Sequence, residues 1–198
     1  VKHIVREQLA NSVAVMQQVM EEDSILSAVA EAAEVTAKAM MSGRKLMVAG
    51  NGGSAADAQH LVAEFVVRLM ADRPALRAIA LTTDSSILTA TGNDYGYDHL
   101  FERQIEALGQ EGDVFLGIST SGNSTNVLRA LELCRKKKIT TIGFSGKTGG
   151  KMVPLCDYNV VIPSSVTQHI QESHLALEHI YCMLVEQCCF GADFAKAK

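Results

Sequence analysis

The chain has no tryptophan, three prolines in 198 residues and few aromatics of any kind. It has no cysteine pair in C-x-x-C spacing, and its five cysteines (Cys134, Cys156, Cys182, Cys188 and Cys189) are an odd number that suits reduced thiols better than a disulfide framework. A cytoplasmic protein is the simplest expectation. No apolar run approaches the roughly 20 residues that a spanning helix needs, so no membrane partner is expected. The first residues, "VKHIVREQLANSV", mix acids with bases and show no apolar core followed by a small-residue cleavage site, so secretion is not expected. Neither sign of charge dominates: the formal net charge is −4, with 20% charged residues, which fits neither a disordered tail nor a polyanion binder. The one basic cluster, "RKKK" at 135 to 138, closes a helical pattern where cations complement the macrodipole, so no nucleic-acid partner is implied. Internal repeats and low-complexity linkers are absent from the sequence as well.

What is present is enough apolar material, 47% of residues, for one domain spanning 1–198 with a real core. Residues 3 to 41 carry helical periodicity broken near "EEDS" at 21 to 24, where Asp23 or Ser24 is expected to cap a second helix. Met16, Met20, Met40 and Met41 make these two helices apolar enough to pack on the domain or on another subunit, so an oligomer is plausible. From residue 45, the short apolar runs "KLMVAG", "LRAIALTT", "DVFLGIST", "TTIGFSG" and "YNVVIP" alternate with helical patterns over 54–71, 85–107, 124–137 and 167–190. That alternation predicts an α/β fold, a three-layer α/β/α sandwich around a five-stranded, mainly parallel sheet, preceded by the N-terminal helices. Pro74, Pro154 and Pro163 each fall near an expected strand boundary, where a missing N–H is tolerated.

Two loops at expected strand ends carry the chemistry. "VAGNGGSAADAQH" turns on Gly50, Asn51, Gly52 and Gly53 and enters a helix near Ser54, an arrangement that lets backbone N–H groups face an anion. It is no dinucleotide fingerprint, because Ala55 stands where a third glycine would, and it lacks the lysine of a Walker A loop. "LGISTSGNSTN" repeats the plan with Ser119, Thr120, Ser121, Gly122, Asn123 and Ser124. Two such loops at the C-terminal ends of parallel strands favour a phosphorylated small molecule, held by neutral donors.

In "AQHLVAEF", His60 and Glu64 stand four apart on one helical face, where they can share a metal ion; a core-bonded histidine beside a solvated glutamate has the same spacing. In "IQESHLALEHI" the same spacing nominates His174 and Glu178. Arg68 follows Glu64 by four, for a helix-surface ion pair or a substrate contact. Asn93 and Asp94 in "TGNDYG" have the composition of a turn.

Together, "GNGGSAADAQHLVAEF", "TGNDYGYDHLF", "EGDVFLGISTSGNSTNV", "GKTGGKM" and "IQESHLALEHI" resemble the sugar isomerase (SIS) domain, and within it the phosphoheptose isomerase family, collinearly over nearly the whole chain. The resemblance implies the SIS fold and a homotetramer with active sites between subunits. The reaction it implies converts sedoheptulose 7-phosphate to D-glycero-D-manno-heptose 7-phosphate, for bacterial surface glycans. It implies one zinc per subunit on His60, Glu64, Gln171 and His179, so in the last helix it selects Gln171 and His179 where spacing selects His174 and Glu178. Gln171 and His179, eight apart, lie about 80° from one another around a helix axis. By the same resemblance Glu64 shuttles the carbon-bound proton and His179 serves the oxygens. A glutamate that both ligates and shuttles is a tension that one arrangement removes, zinc ligation loosening when substrate binds.

Ser119, Thr120, Ser121 and Ser124 would then take the phosphate, and Asn51, Gly52, Gly53 and Ser54 would line the sugar. Asn93, Asp94, Arg68 and Gln171 would add contacts. One departure is Gln168, where the family usually has an acid. The competing reading is a non-catalytic phosphosugar-binding SIS protein resembling the DnaA initiator-associating protein, which lacks the catalytic pair.

Overall fold

The computed structural model describes residues 1–191. Two helices come first, α1 (Lys2–Glu21) and α2 (Asp23–Met41). Five strands follow, β1 (Leu46–Gly50), β2 (Ala78–Ala80), β3 (Val114–Ser119), β4 (Thr140–Gly146) and β5 (Tyr158–Ile162). They alternate with α3 (Gly53–Val66), α4 (Ser85–Asp94), α5 (Leu100–Leu108), α6 (Thr125–Lys136) and α7 (Thr167–Phe190). The sheet order is β2-β1-β3-β4-β5, and each neighbouring pair is parallel, so the sheet is parallel throughout the described residues.

Both faces of the sheet are covered, which is why β1 and β3 read as unbroken apolar runs and are buried at every residue. Period-two alternation divides their side chains between two cores. Leu46, Val48, Leu116 and Ile118 join α2, α3 and α7 on one face; Met47, Ala49 and Phe115 join α5 and α6 on the other. The three layers expected from the sequence are these.

Several boundaries differ from the sequence expectation. Neither Asp23 nor Ser24 caps α2: the N-cap is Glu22, without a side-chain cap, and the Ser24 hydroxyl donates to Glu22 Oε1. The helix expected over 54–71 stops at Val66. The pattern over 85–107 divides at Gly96, whose φ of 89° closes α4 and opens a short 3-10 turn (Tyr97–His99) ahead of α5. Pro154 sits inside a second 3-10 segment, Gly150–Leu155, before β5.

Helix α2 packs on α7 and β5, whereas α1 lies over α7 and α2 and buries Val19 alone. Its outer half leaves Ile4, Val5, Leu9 and Val13 at least half exposed. No helix among the described residues is long and apolar enough to cross a membrane.

Candidate functional site

Strand β1 is flanked by β2 on one side and β3 on the other, so the chain changes its winding direction between β1 and β3. Open parallel sheets bind ligands in the crevice outside such a point. The two Gly-Ser loops emerge there side by side, because Gly50 is registered against Ile118. They are tied together. Asn51 Nδ2 donates to Asn126 Oδ1 and Asn126 Nδ2 donates back to Asn51 Oδ1, each at 2.9 Å. Tyr97 OH donates to the same Asn51 oxygen, also at 2.9 Å.

In the second loop the Ser119 hydroxyl is 2.8 Å from that of Ser124 and 3.4 Å from that of Ser121. Thr120 stands between them, half-buried, where β3 ends. Ser124 is the N-cap of α6 but makes no side-chain cap bond, so its hydroxyl faces the loop. The turn depends on Gly122: its φ is 64°, and a Cβ there would overlap the Gly149 carbonyl oxygen. The result is a neutral set of hydroxyls and amides at a helix N-terminus, suited to an anion.

The metal-type cluster lies further along α3. His60 Nε2 is 2.9 Å from His179 Nε2 and 3.4 Å from Glu64 Oε1, and ligand atoms of all three residues fall within 4.8 Å of one another. Zinc bonded tetrahedrally to nitrogen at 2.0–2.1 Å holds its ligands about 3.3 Å apart, so this nitrogen and oxygen donor set fits a divalent ion. Gln171 sits at the other end of the same interface. An ideal Cβ on Gly53 would stand 2.5 Å from Gln171 Nε2, so glycine at the start of α3 is what lets α7 approach. The contacts 53–171 and 60–179 run in the same order, so α3 and α7 lie side by side in the same direction.

The spacing-based pair goes elsewhere. His174 is fully buried and donates from Nε2 to the Ser145 carbonyl at 2.9 Å, and desolvation pulls its pKa down to about 4. Glu178 is also buried, with neither carboxylate oxygen partnered; desolvation, then the nearby charge of Asp57, raises its pKa to about 8. Asp57 is raised in turn, chiefly by its own burial, against the lowering effect of His60. His60, Glu64 and His179 are the one such metal-type group found among the described residues.

Ser54 is buried in the first turn of α3, its backbone N–H donating to the Asn51 carbonyl, and Gly52 is the N-cap of that helix. Arg68 falls beyond the end of α3, exposed, and among the described residues makes no ion pair with Glu64. Asn93 and Asp94 form the last turn of α4; they bond each other at 2.7 Å, and Asp94 lines a cavity between α4 and α5 rather than the crevice at Asn51. Gln168 lies in the first turn of α7, in a groove against α1.

Two residues escaped the sequence reading. Asn126 lies inside the quoted serine motif but reads there as an ordinary first-turn polar residue. Arg73 carries no periodic signal at all. Its buried guanidinium donates to the carbonyls of Glu64 (2.7 Å), Phe65 (2.8 Å) and Pro74 (3.1 Å), and to Glu186 Oε1 of α7 (2.6 Å). It thereby closes the C-terminus of the helix that carries His60 and Glu64, and joins it to the helix that carries His179.

Comparison with known proteins places this geometry. The SIS domain family matches residues 8–146. The chain is 50% identical over 194 residues to a phosphoheptose isomerase of Aneurinibacillus thermoaerophilus, covering 98% of each chain. It is 52% identical over 186 residues to phosphoheptose isomerase 2 of Campylobacter jejuni, covering 94% of this chain and 92% of that one. The solved phosphoheptose isomerase of Neisseria gonorrhoeae superposes with a TM-score of 0.88 at 39% identity, covering 94% of this chain and 98% of that one. Fold, loop chemistry and near full-length identity agree, and the chain belongs to the phosphoheptose isomerase family of SIS-domain proteins.

Proposed function

We propose that this protein is an aldose–ketose isomerase that converts sedoheptulose 7-phosphate to D-glycero-D-manno-heptose 7-phosphate, a precursor for bacterial surface glycans. The observation that carries this reading is the convergence of Glu64 and His179 beside His60, from helices that both lead away from the crevice. Membership of a family whose relatives bear that enzyme's name supports it. His60 lies about 10 Å along α3 from Gly53, since seven residues rise 1.5 Å each. A phosphate at the loops and a reacting carbonyl at the cluster therefore require an elongated, open-chain sugar phosphate.

Ser119, Thr120, Ser121 and Ser124 hold the phosphate, and Asn51, Gly52, Gly53 and Ser54 line the sugar. Arg68, Asn93, Asp94 and Gln171 complete the proposed contacts. Arg68 and Asn93 are exposed and Asp94 lines a separate cavity between α4 and α5, so their part falls at a subunit contact, in a homotetramer with shared sites. The exposed apolar stripe of α1 supports such an assembly.

Isomerisation moves a proton between neighbouring carbons through an enediol. The Glu64 carboxylate removes a proton from C1 of the ketose while His179 protonates the C2 oxygen. His179 then takes the proton from the C1 oxygen, and Glu64 returns its proton to C2. His60, Glu64 and His179 would hold zinc, one per subunit, and Gln171, which within one chain lies against Gly53 at the other end of the α3–α7 interface, would join them only across a subunit contact; when bound, such an ion supplies positive charge beside the developing enediolate.

The test is to supply sedoheptulose 7-phosphate and zinc to the purified protein and follow the aldose product. Failure to turn over, with retained phosphosugar binding and specific association with DnaA, would make it a binding protein instead.

A further inference from the structure

The "GKTGGKM" segment, 146–152, leaves the end of β4 beside the serine loop, because Ser145 is registered against Ser119. Gly149 and Gly150 both have left-handed backbones, with φ of 78° and 58°, and lie flat on that loop. A Cβ on Gly150 would stand 2.7 Å from the carbonyl oxygens of Ser121 and Gly122 and from Asn123 Nδ2, so the two backbones approach as closely as glycine allows. Met152, wholly buried in the core on the α6 side of the sheet, anchors the segment, and its N–H donates to the Gly122 carbonyl at 3.1 Å.

One side chain bridges the two segments. Asn123 Oδ1 accepts the Lys151 backbone N–H at 3.1 Å, and Asn123 Nδ2 donates to the Ser121 carbonyl at 2.8 Å. A donor at one end and an acceptor at the other allow the amide only this orientation. The Asn123 backbone N–H donates in turn to Ser121 Oγ at 3.2 Å, so the hydroxyl accepts from its own loop. The Ser119 hydroxyl, 3.4 Å away, is too distant to take the Ser121 hydrogen in a strong bond. A phosphate oxygen only accepts, and a hydroxyl whose acceptor side is already engaged is prepared to donate to it. We propose that Asn123 is a positioning residue that latches the serine loop to the glycine-rich segment after β4 and so holds the Ser121 hydroxyl as a donor toward the substrate phosphate. This rests on the reading in which the serine loop takes the phosphate.

The test opens the latch from each side, with Asn123→Ala in the serine loop, Gly150→Ala in the facing segment, and the two together. Affinity for inorganic phosphate is measured by calorimetry, and kcat and KM with sedoheptulose 7-phosphate. Each single variant should weaken phosphate binding and raise KM by roughly 5- to 20-fold, the range of one or two lost hydrogen bonds. The value of kcat should stay within about twofold, because the phosphate is held equally in ground and transition states. The double variant should be no worse than the more severe single, since both changes break one contact. Hydrogen exchange at the Met152 N–H, which bonds to Gly122 and not to Asn123, should be at least about tenfold faster in Asn123→Ala as the two segments part.

Unchanged phosphate affinity in Asn123→Ala would overturn the proposal. So would weakened affinity in Asn123→Ala with wild-type affinity in Gly150→Ala, which would make the exposed Asn123 amide a direct phosphate ligand. If Gly150→Ala does not fold, Met152 exchange makes the same distinction: weaker phosphate binding at an unchanged exchange rate refutes the latch. A parallel fall in kcat marks general damage to the site and refutes it too. Absence of turnover by the wild type would count against the isomerase reading alone, and phosphate affinity with Met152 exchange would then decide the latch by the same criteria.

Discussion

His60 and His179 meet at 2.9 Å through their Nε2 atoms, although 119 positions separate them in the chain. Two neutral imidazoles can share one proton across such a gap, and two bare nitrogens can share a cation. With Glu64 beside them the second arrangement has a third donor. Removing the metal with a chelator should therefore abolish turnover, and added zinc should restore it. His60→Ala should weaken metal retention by at least about tenfold without unfolding the protein, because the His60 side chain is nearly half exposed. Metal content against dialysis time measures it; full zinc occupancy in His60→Ala would place the ion elsewhere.

Glu64 has the more demanding role. Glu64→Gln keeps the shape of the side chain and removes its basicity, so turnover should fall by roughly 10²–10⁴, the range of a lost general base. Inhibition by inorganic phosphate, which depends on the Ser119–Ser124 loop, should not change. The direct measurement is incorporation of solvent deuterium at the substrate carbon. Exchange at the wild-type rate would assign the base to another group.

The layers and the two ligand loops are legible in the sequence because each is local: a buried strand is a short apolar run, and glycine with serine after it announces a turn at a helix start. Less legible is whatever depends on a distant partner. Spacing finds His60 with Glu64 but equally finds His174 with Glu178, and only the packing of α7 turns His174 inward to Ser145. Arg73 lies in an irregular segment, so nothing local reveals that it closes α3 at Val66, five residues before the end that periodicity predicts. Asn126 looks like an ordinary first-turn residue until β1 and β3 are paired.

His174 gives a pH dependence of known sign. Its native pKa, about 4, lies below the ordinary 6.5, because burial disfavours the imidazolium. Between those values the unfolded chain binds the extra proton and the native protein does not, so stability falls as pH drops through that window. The shift corresponds to a penalty of about 3 kcal/mol once pH is below both values. His174→Gln retains an N–H donor for the Ser145 carbonyl and no longer titrates. Its thermal midpoint should fall less than that of the wild type between pH 7 and pH 4.5; parallel curves would show that His174 is not the group responsible.

The Arg73–Glu186 ion pair separates holding from stabilising. Both side chains are almost wholly excluded from solvent, and one Glu186 oxygen has no partner, so the pair gains less from its 2.6 Å contact than it would if fully bonded. Removing one member is nonetheless expensive. Arg73→Met leaves a buried carboxylate without its counter-charge and frees the Glu64 carbonyl, while the Phe65 carbonyl keeps the Leu76 N–H, and should destabilise the protein by ~3–5 kcal/mol. Replacing both, Arg73→Met with Glu186→Met, removes the buried charge entirely and should recover much of that loss, although the Glu64 carbonyl stays open. Denaturant unfolding of the two single variants and the double variant yields the coupling energy directly. A double variant as unstable as the sum of the singles would mean that each residue acts through separate contacts, and that the end of α3 is held by the arginine–carbonyl bonds without help from α7.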